Sequence, residues 1–199
     1  MRIQWQWLIL AVILLLPPLP LSESQRKFLK SRRNSSTSVR SLLKTWQNWV
    51  DLIRAGVGVY LLTEFAFPLN PEIKGAGAKA FVLEGLVLGI GLLFQVIRFG
   101  RGVQFVAPIF YVCGFTLVLA GYTVGGFAIF TGWLFAVGGK TPVYQLPVMG
   151  VALGLAGSLL GFSLRLLLDC SLIFLPLVLA FMFRQQLSFV AREPSVAAS

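Results

Sequence analysis

The stretch Val148–Arg165, VMGVALGLAGSLLGFSLR, sets Gly150, Gly154, Gly157 and Gly161 at i, i+4, i+7 and i+11, the spacing that lines up one face of an α-helix. Leucine, valine and one methionine fill most of the remaining surface. In water such a helix would expose apolar surface on nearly every side, and each internal glycine would cost about 1 kcal/mol relative to alanine. In a bilayer, lipid covers the leucine side and the glycine face lets a neighbouring backbone approach closely. The stretch therefore reads as a membrane helix with a packing groove. A groove for a ligand or a moving helix is the sharper alternative.

The rest of the chain points the same way. Of its 199 residues, 57% are hydrophobic and only 12% charged, with a mean hydropathy of +0.83. Soluble domains run at about 45–50% apolar and about 25% charged, so a water-soluble core could not hide this much apolar surface. One membrane domain with a basic flank is the economical architecture. The net charge of +10 is not spread as a nucleic-acid patch would be: Arg26, Lys27, Lys30, Arg32, Arg33, Arg40 and Lys44 crowd ahead of the main apolar region, and others punctuate its ends. That distribution follows from the positive-inside bias and attraction to anionic headgroups. The partners it implies are the bilayer itself and a membrane protein or second copy, with no nucleic acid.

Histidine is absent. This removes bis-histidine haem ligation, HExxH zinc chemistry and the commonest catalytic base, so no cofactor or metal is expected. Cys113 and Cys170 both lie inside apolar runs and form no CxxC; free buried thiols are the default reading, and a disulfide between them is left open by the spacing.

Residues 1–21 combine one basic residue, a short apolar run and a proline-rich exit, the layout of a signal peptide or a signal anchor. The strongly basic segment that follows resists translocation, which favours an uncleaved anchor. Residues 22–40 are basic and serine-rich with little hydrophobic content, and read as disordered at the membrane surface. The transmembrane helical domain occupies 41–187, and 188–199 form a loose tail. Within the domain, Leu42, Leu43, Trp46, Trp49, Val50 and Ile53 make an apolar stripe that leads into Ala55–Phe67, ended by Pro68, Asn70 and Pro71. A second span covers Ala80–Ile97. The run Gly102–Gly139 carries no charge; as one straight helix it would reach about 57 Å, nearly twice a hydrocarbon core of about 30 Å, so it folds as a hairpin turning near Gly121–Gly126. The last block, Leu146–Phe183, is interrupted by Arg165 and Asp169, read as the turn before a final span that Pro176 kinks.

The expected fold is all-α: a polytopic transmembrane bundle of about six spans in three helical hairpins (49–97, 103–139 and 147–183), plus the N-terminal apolar segment. Each hairpin ends in basic residues, Arg98 with Arg101, Lys140, and Arg184. Held in the cytoplasm, these ends put Glu64, Glu72, Glu84 and Asp169 on the outer side. The expected location is a bacterial inner (plasma) membrane. Glu84 and Asp169 are the only acids within the later apolar spans. The plain account makes them helix-end charges, with Lys79 and Arg165 as partners. The sharper one joins them to the glycine groove as an outward-facing cation or proton site. Two functions follow: a non-enzymatic packing, accessory or assembly component, or a small-solute or cation transporter using Glu84 and Asp169. No nucleophile–base pair supports an enzyme.

Overall fold

The computed structural model describes residues 3–17, 39–67, 76–99, 103–139, 142–161 and 163–184. The basic, serine-rich segment 22–40, apart from its last two residues, and the residues 188–199 lie outside these, as do Glu72, Arg101 and Lys140. The described chain is helical: α1 is Trp5–Leu15, α2 Val39–Lys44, and α3 Trp46–Leu61, which continues into a π-helical turn, Leu62–Ala66. Then come α4 (Ala76–Val96), α5 (Ile109–Leu119), α6 (Gly121–Gly138), α7 (Gln145–Leu160) and α8 (Leu164–Met182). Between α4 and α5 a short ribbon pairs β1 (Ile97–Phe99) antiparallel with β2 (Val103–Phe105), Arg98 opposite Gln104. The apolar repeat did not announce that ribbon, because three residues per strand are too few to show a period of two.

Helix α5 is the centre of the bundle. Nine of its eleven residues are buried, with no polar face left for solvent. Such all-round burial marks a helix enclosed by its own protein rather than one bordering a solvent. Gly114 makes this possible: a Cβ there would collide with the Leu52 carbonyl of α3, and the Gly56 of α3 in turn faces the Gly114 carbonyl. The same device recurs outward from α5. Gly125 of α6 sits over the Thr116 carbonyl, Gly132 over Gln145 of α7, and Gly150 of α7 against the Phe174 ring of α8. Gly85 of α4 meets Leu168 of α8, and Gly58 of α3 meets Leu15 of α1. Close backbone approach is how helices associate when apolar solvent surrounds them.

Contacts at two levels set the helix directions: Trp49 meets Phe110 and Gly56 meets Gly114, which runs α3 parallel to α5, while some other neighbours are opposed. Leu15 lies on Gly58 while the Gln4 N–H donates to the Ala66 carbonyl at 3.0 Å, which opposes α1 to α3. Asp169 meets Thr116 at one level, and Phe183 approaches Phe105 with ring centroids 5.3 Å apart at another, which opposes α8 to the β2–α5 segment. Breaks between helices fall where the backbone demands them. Gly121 (φ +78°) separates α5 from α6, so the hairpin turns at the beginning of the Gly121–Gly126 stretch rather than inside it. Gly161 (φ +91°) ends α7, and Ser163 caps α8 by accepting the Leu166 N–H at 3.1 Å. Arg165 and Asp169 therefore lie inside α8, correcting their reading as the turn itself. A positive-φ glycine and a serine cap made the turn; the charges did not.

Among the described residues, three helices are long and apolar enough to cross a membrane: Gly77–Val96, Gly121–Gly138 and Leu164–Met182. Trp5–Leu15, Ile109–Leu119 and Gln145–Leu160 are shorter apolar helices. The outer faces carry large exposed apolar side chains in rows. Val82, Leu86, Ile90 and Phe94 run along α4, Phe127, Phe130 and Leu134 along α6, and Val151, Leu155 and Leu159 along α7. Rows of that length exceed what a water-soluble monomer leaves uncovered.

Candidate functional site

The inner faces of α5, α7 and α8 converge on a small polar cluster. Thr116, Gln145 and Asp169 are all fully buried, and Cys113 beside them is nearly so. The Thr116 hydroxyl donates to Asp169 Oδ1 at 3.0 Å, and the Gln145 Nε2 donates to Cys113 Sγ at 3.3 Å. Cys113 and Thr116 are three residues apart on α5, so one helical face presents both. The Trp133 indole of α6 approaches the same sulfur, and the Asp169 charge reaches Cys113 and Cys170. Two acceptors are left over: Asp169 Oδ2 and Gln145 Oε1 are buried without a hydrogen-bond partner among the described residues. Leaving a buried polar atom unsatisfied costs about 1–3 kcal/mol. Two such atoms in one cluster leave its hydrogen bonding incomplete.

Glu84 has different surroundings. It is 5% exposed, eight residues into α4, with Arg165 and Glu64 within electrostatic reach. Arg165 pairs with Glu64 at 3.5 Å, both side chains about half exposed. Glu64 is presented by the π-helical turn after α3, a distortion that often accompanies functional positions. The anticipated pairing of Arg165 with Asp169 is therefore replaced by Arg165 with Glu64, because residue 165 at the start of α8 points its long side chain out of the bundle end while Asp169 points in. Lys79 is exposed and makes no ion pair with Glu84. Glu84 and Asp169 thus sit on neighbouring helices, in contact at Gly85 and Leu168, but with separate partners.

The glycine stripe divides. Gly150 is filled by Phe174, and Gly157 is buried. Gly154 has open space in front of it, and Gly161 is the helix stop rather than part of the face. A third set of polar groups holds α1: the Arg54 Nη1 donates to the Leu16 carbonyl at 2.6 Å while Nη2 pairs with Asp51 at 3.1 Å. Sequence reasoning found Asp169 and Cys113 but passed over Thr116 and Gln145. Their signal was available: a hydroxyl and an amide inside otherwise charge-free apolar helices, which in a membrane either bridge helices or serve a site.

Both cysteines are free thiols, and no group of three or more His, Cys, Asp or Glu side chains comes together among the described residues. No protein-family model, curated protein or solved structure matches the chain.

Proposed function

We propose that the chain is a multi-pass membrane protein that carries a small monovalent cation, the proton included, by way of Asp169. The observation behind this reading is a fully buried carboxyl group with one oxygen unpartnered, inside helices whose outer faces are apolar. An acid within a membrane span costs up to about 2.5–3.5 kcal/mol on the insertion scale, the full cost applying at mid-bilayer, and usually belongs to an ion or proton pathway. The central helix supports the same reading. At eleven residues α5 is about 16 Å long, well short of a hydrocarbon core of about 30 Å. Helix ends at membrane depth are tolerated where protein covers them, and broken helices of this kind build ion sites in transporters. Glu84, with Glu64 and Arg165 at one end of the bundle, provides a second acidic station on the route. In this scheme α3 to α8 make six crossings in three hairpins of a bacterial inner membrane, with α1 packed among them as a retained anchor.

The test uses proteoliposomes loaded with a pH-reporting dye or a potassium- or sodium-sensitive one. Wild-type protein should relax an imposed gradient, and Asp169→Asn and Glu84→Gln, inserted and purified normally, should slow that relaxation at least tenfold. Flux equal to that of empty liposomes, or unchanged in Asp169→Asn, would end this reading.

A packing or assembly role is the second reading, favoured by the open face at Gly154, where no heavy atom lies within 4 Å of an added Cβ. At Gly150 the groove is filled by the chain's own Phe174, which shortens the stretch left for a partner.

A further inference from the structure

We propose that Arg165 is a tethered cation that exchanges between Glu64 and Glu84, and that this exchange gates the way from that end of the bundle to Asp169. The inference rests on the cation reading above and adds the device that controls entry. The packing of α4 on α8 sets the levels. Leu168 Cδ1 lies 3.3 Å from where a Cβ on Gly85 would stand. Farther along, α4 leads into the ribbon and α8 into Phe183, which meets Phe105 of that ribbon, so the two helices run side by side in one direction. Glu84, next to Gly85, therefore stands between the levels of Arg165, three residues ahead of Leu168, and Asp169, one residue beyond it. Arg165 and Leu168 are at i and i+3 and share one face of α8, so the guanidinium belongs to the face that packs on α4. Arg165 and Glu64 both act electrostatically on Glu84. Lys79 is exposed and, five residues from Glu84, lies on another face of α4.

Two carboxylates share one guanidinium here, and their surroundings differ. The Arg165–Glu64 pair is 3.5 Å long with both side chains about half exposed, the kind of ion pair that costs little to break. Glu84 is 5% exposed and makes no hydrogen bond or ion pair among the described residues. A charge buried without a partner is expensive, so an ionised Glu84 draws the guanidinium inward. A positive charge then stands ahead of Asp169 and repels an arriving cation. A cation that takes Glu84 displaces the guanidinium to Glu64, which is the arrangement seen here, and opens the way inward. Passage of that cation to Asp169 leaves Glu84 charged again, and Arg165 closes behind it. Glu64, presented by the π-helical turn after α3, is the place where the gate is held open.

Labelling of Glu84 by dicyclohexylcarbodiimide in the full chain in liposomes, read by peptide mass spectrometry, tests this. The reagent enters lipid and attacks a carboxylic acid, and it spares a carboxylate held by a guanidinium. Glu64→Gln removes the outward partner and leaves Arg165 on Glu84, so labelling of Glu84 should fall at least threefold. Arg165→Gln uncovers Glu84, so labelling should rise at least threefold, with Arg165→Lys between it and wild type. The double variant should match Arg165→Gln, since Glu64 acts on Glu84 through Arg165. In the proteoliposome assay Glu64→Gln should slow flux at least fivefold, and adding Arg165→Gln should restore it. A pair that merely ties the bundle end together predicts otherwise: both single variants break the same bond and move the labelling in the same direction. That result, or a double variant that differs from Arg165→Gln, would overturn the proposal. The two readings fail separately. Opposite labelling shifts without flux keep the exchange and remove transport, whereas Asp169-dependent flux with labelling moved alike in both variants removes the exchange and keeps the cation reading.

Discussion

Glycine does two opposite things in this chain, and single substitutions separate them. At Gly114 an added methyl group has nowhere to go, since the Leu52 carbonyl occupies its place and the Ala55 Cβ is 3.0 Å away. Backbone cannot yield as the tip of a side chain can, so Gly114→Ala should cost about 1–3 kcal/mol through overpacking of α5 on α3. At Gly154 the space is open, and alanine gains about 1 kcal/mol of helix propensity over glycine. Gly154→Ala should therefore raise, and Gly114→Ala lower, the temperature at which the detergent-solubilised protein loses its monodisperse peak. Equal effects from both would mean that the α3–α5 crossing is looser than described. Spacing along the sequence picked out the Gly150–Gly161 stripe and passed over Gly114 and Gly56, although these make the closer approach. A repeat reports the face of one helix; how near another backbone comes depends on a partner that the local sequence does not contain. The same limit applies at the polar cluster, where Asp169 was visible as an acid in an apolar run but its junction with Thr116, fifty-three residues away, was not.

Among the elements, α1 is tied down at its C-terminal end by a single side chain outside itself. Its last carbonyls are left without intrahelical partners, as at any helix end, and the Arg54 guanidinium takes up the Leu16 carbonyl at 2.6 Å while holding Asp51 at 3.1 Å. A cation at a helix C-terminus also complements the negative end of the dipole. Arg54→Ala should loosen α1 selectively, with a loss of about 1.5–3 kcal/mol from a charge-assisted hydrogen bond. Hydrogen exchange checks it: protection over Trp5–Leu15 should fall while α6 is unchanged, and Arg54→Lys should recover part of it. Uniform protection in Arg54→Ala would show that apolar packing of Ala11 and Leu15 holds α1 without help. The existence and kind of most elements could be read from length and hydropathy alone, since a charge-free run too long for one crossing has to fold back. Their ends could not. Those were decided by the conformations of Gly121 and Gly161 and the cap at Ser163, and the ribbon at Ile97–Phe105 was invisible among flanking helical signals.

For the whole molecule, the arrangement of charge at the two ends constrains how it sits in a bilayer. Glu64, Arg165 and the neighbouring Glu84 gather at the end where α3 finishes and α8 starts. Arg184 follows α8 at the opposite end, where Phe183 meets Phe105 beside the ribbon that carries Arg98. With α3, through its π-helical turn, reaching about 30 Å from Trp46 to Ala66, the two ends are a hydrocarbon thickness apart. Lysine and arginine near helix ends favour the cytoplasm, whereas acids have little influence on orientation. The Arg98 and Arg184 end should therefore face inward and the Glu64–Arg165 end outward. Single cysteines placed at Ser163 and Arg184 in a Cys170→Ser background, with Cys113 buried, test this in intact cells. A membrane-impermeant maleimide should label residue 163 from outside and residue 184 only after permeabilisation. Labelling of both from one face would contradict α8 as a crossing, and with it the hairpin scheme and any route for a proton between Glu84 and the buried Asp169. The reverse pattern would keep the fold and invert the direction from which the site is loaded.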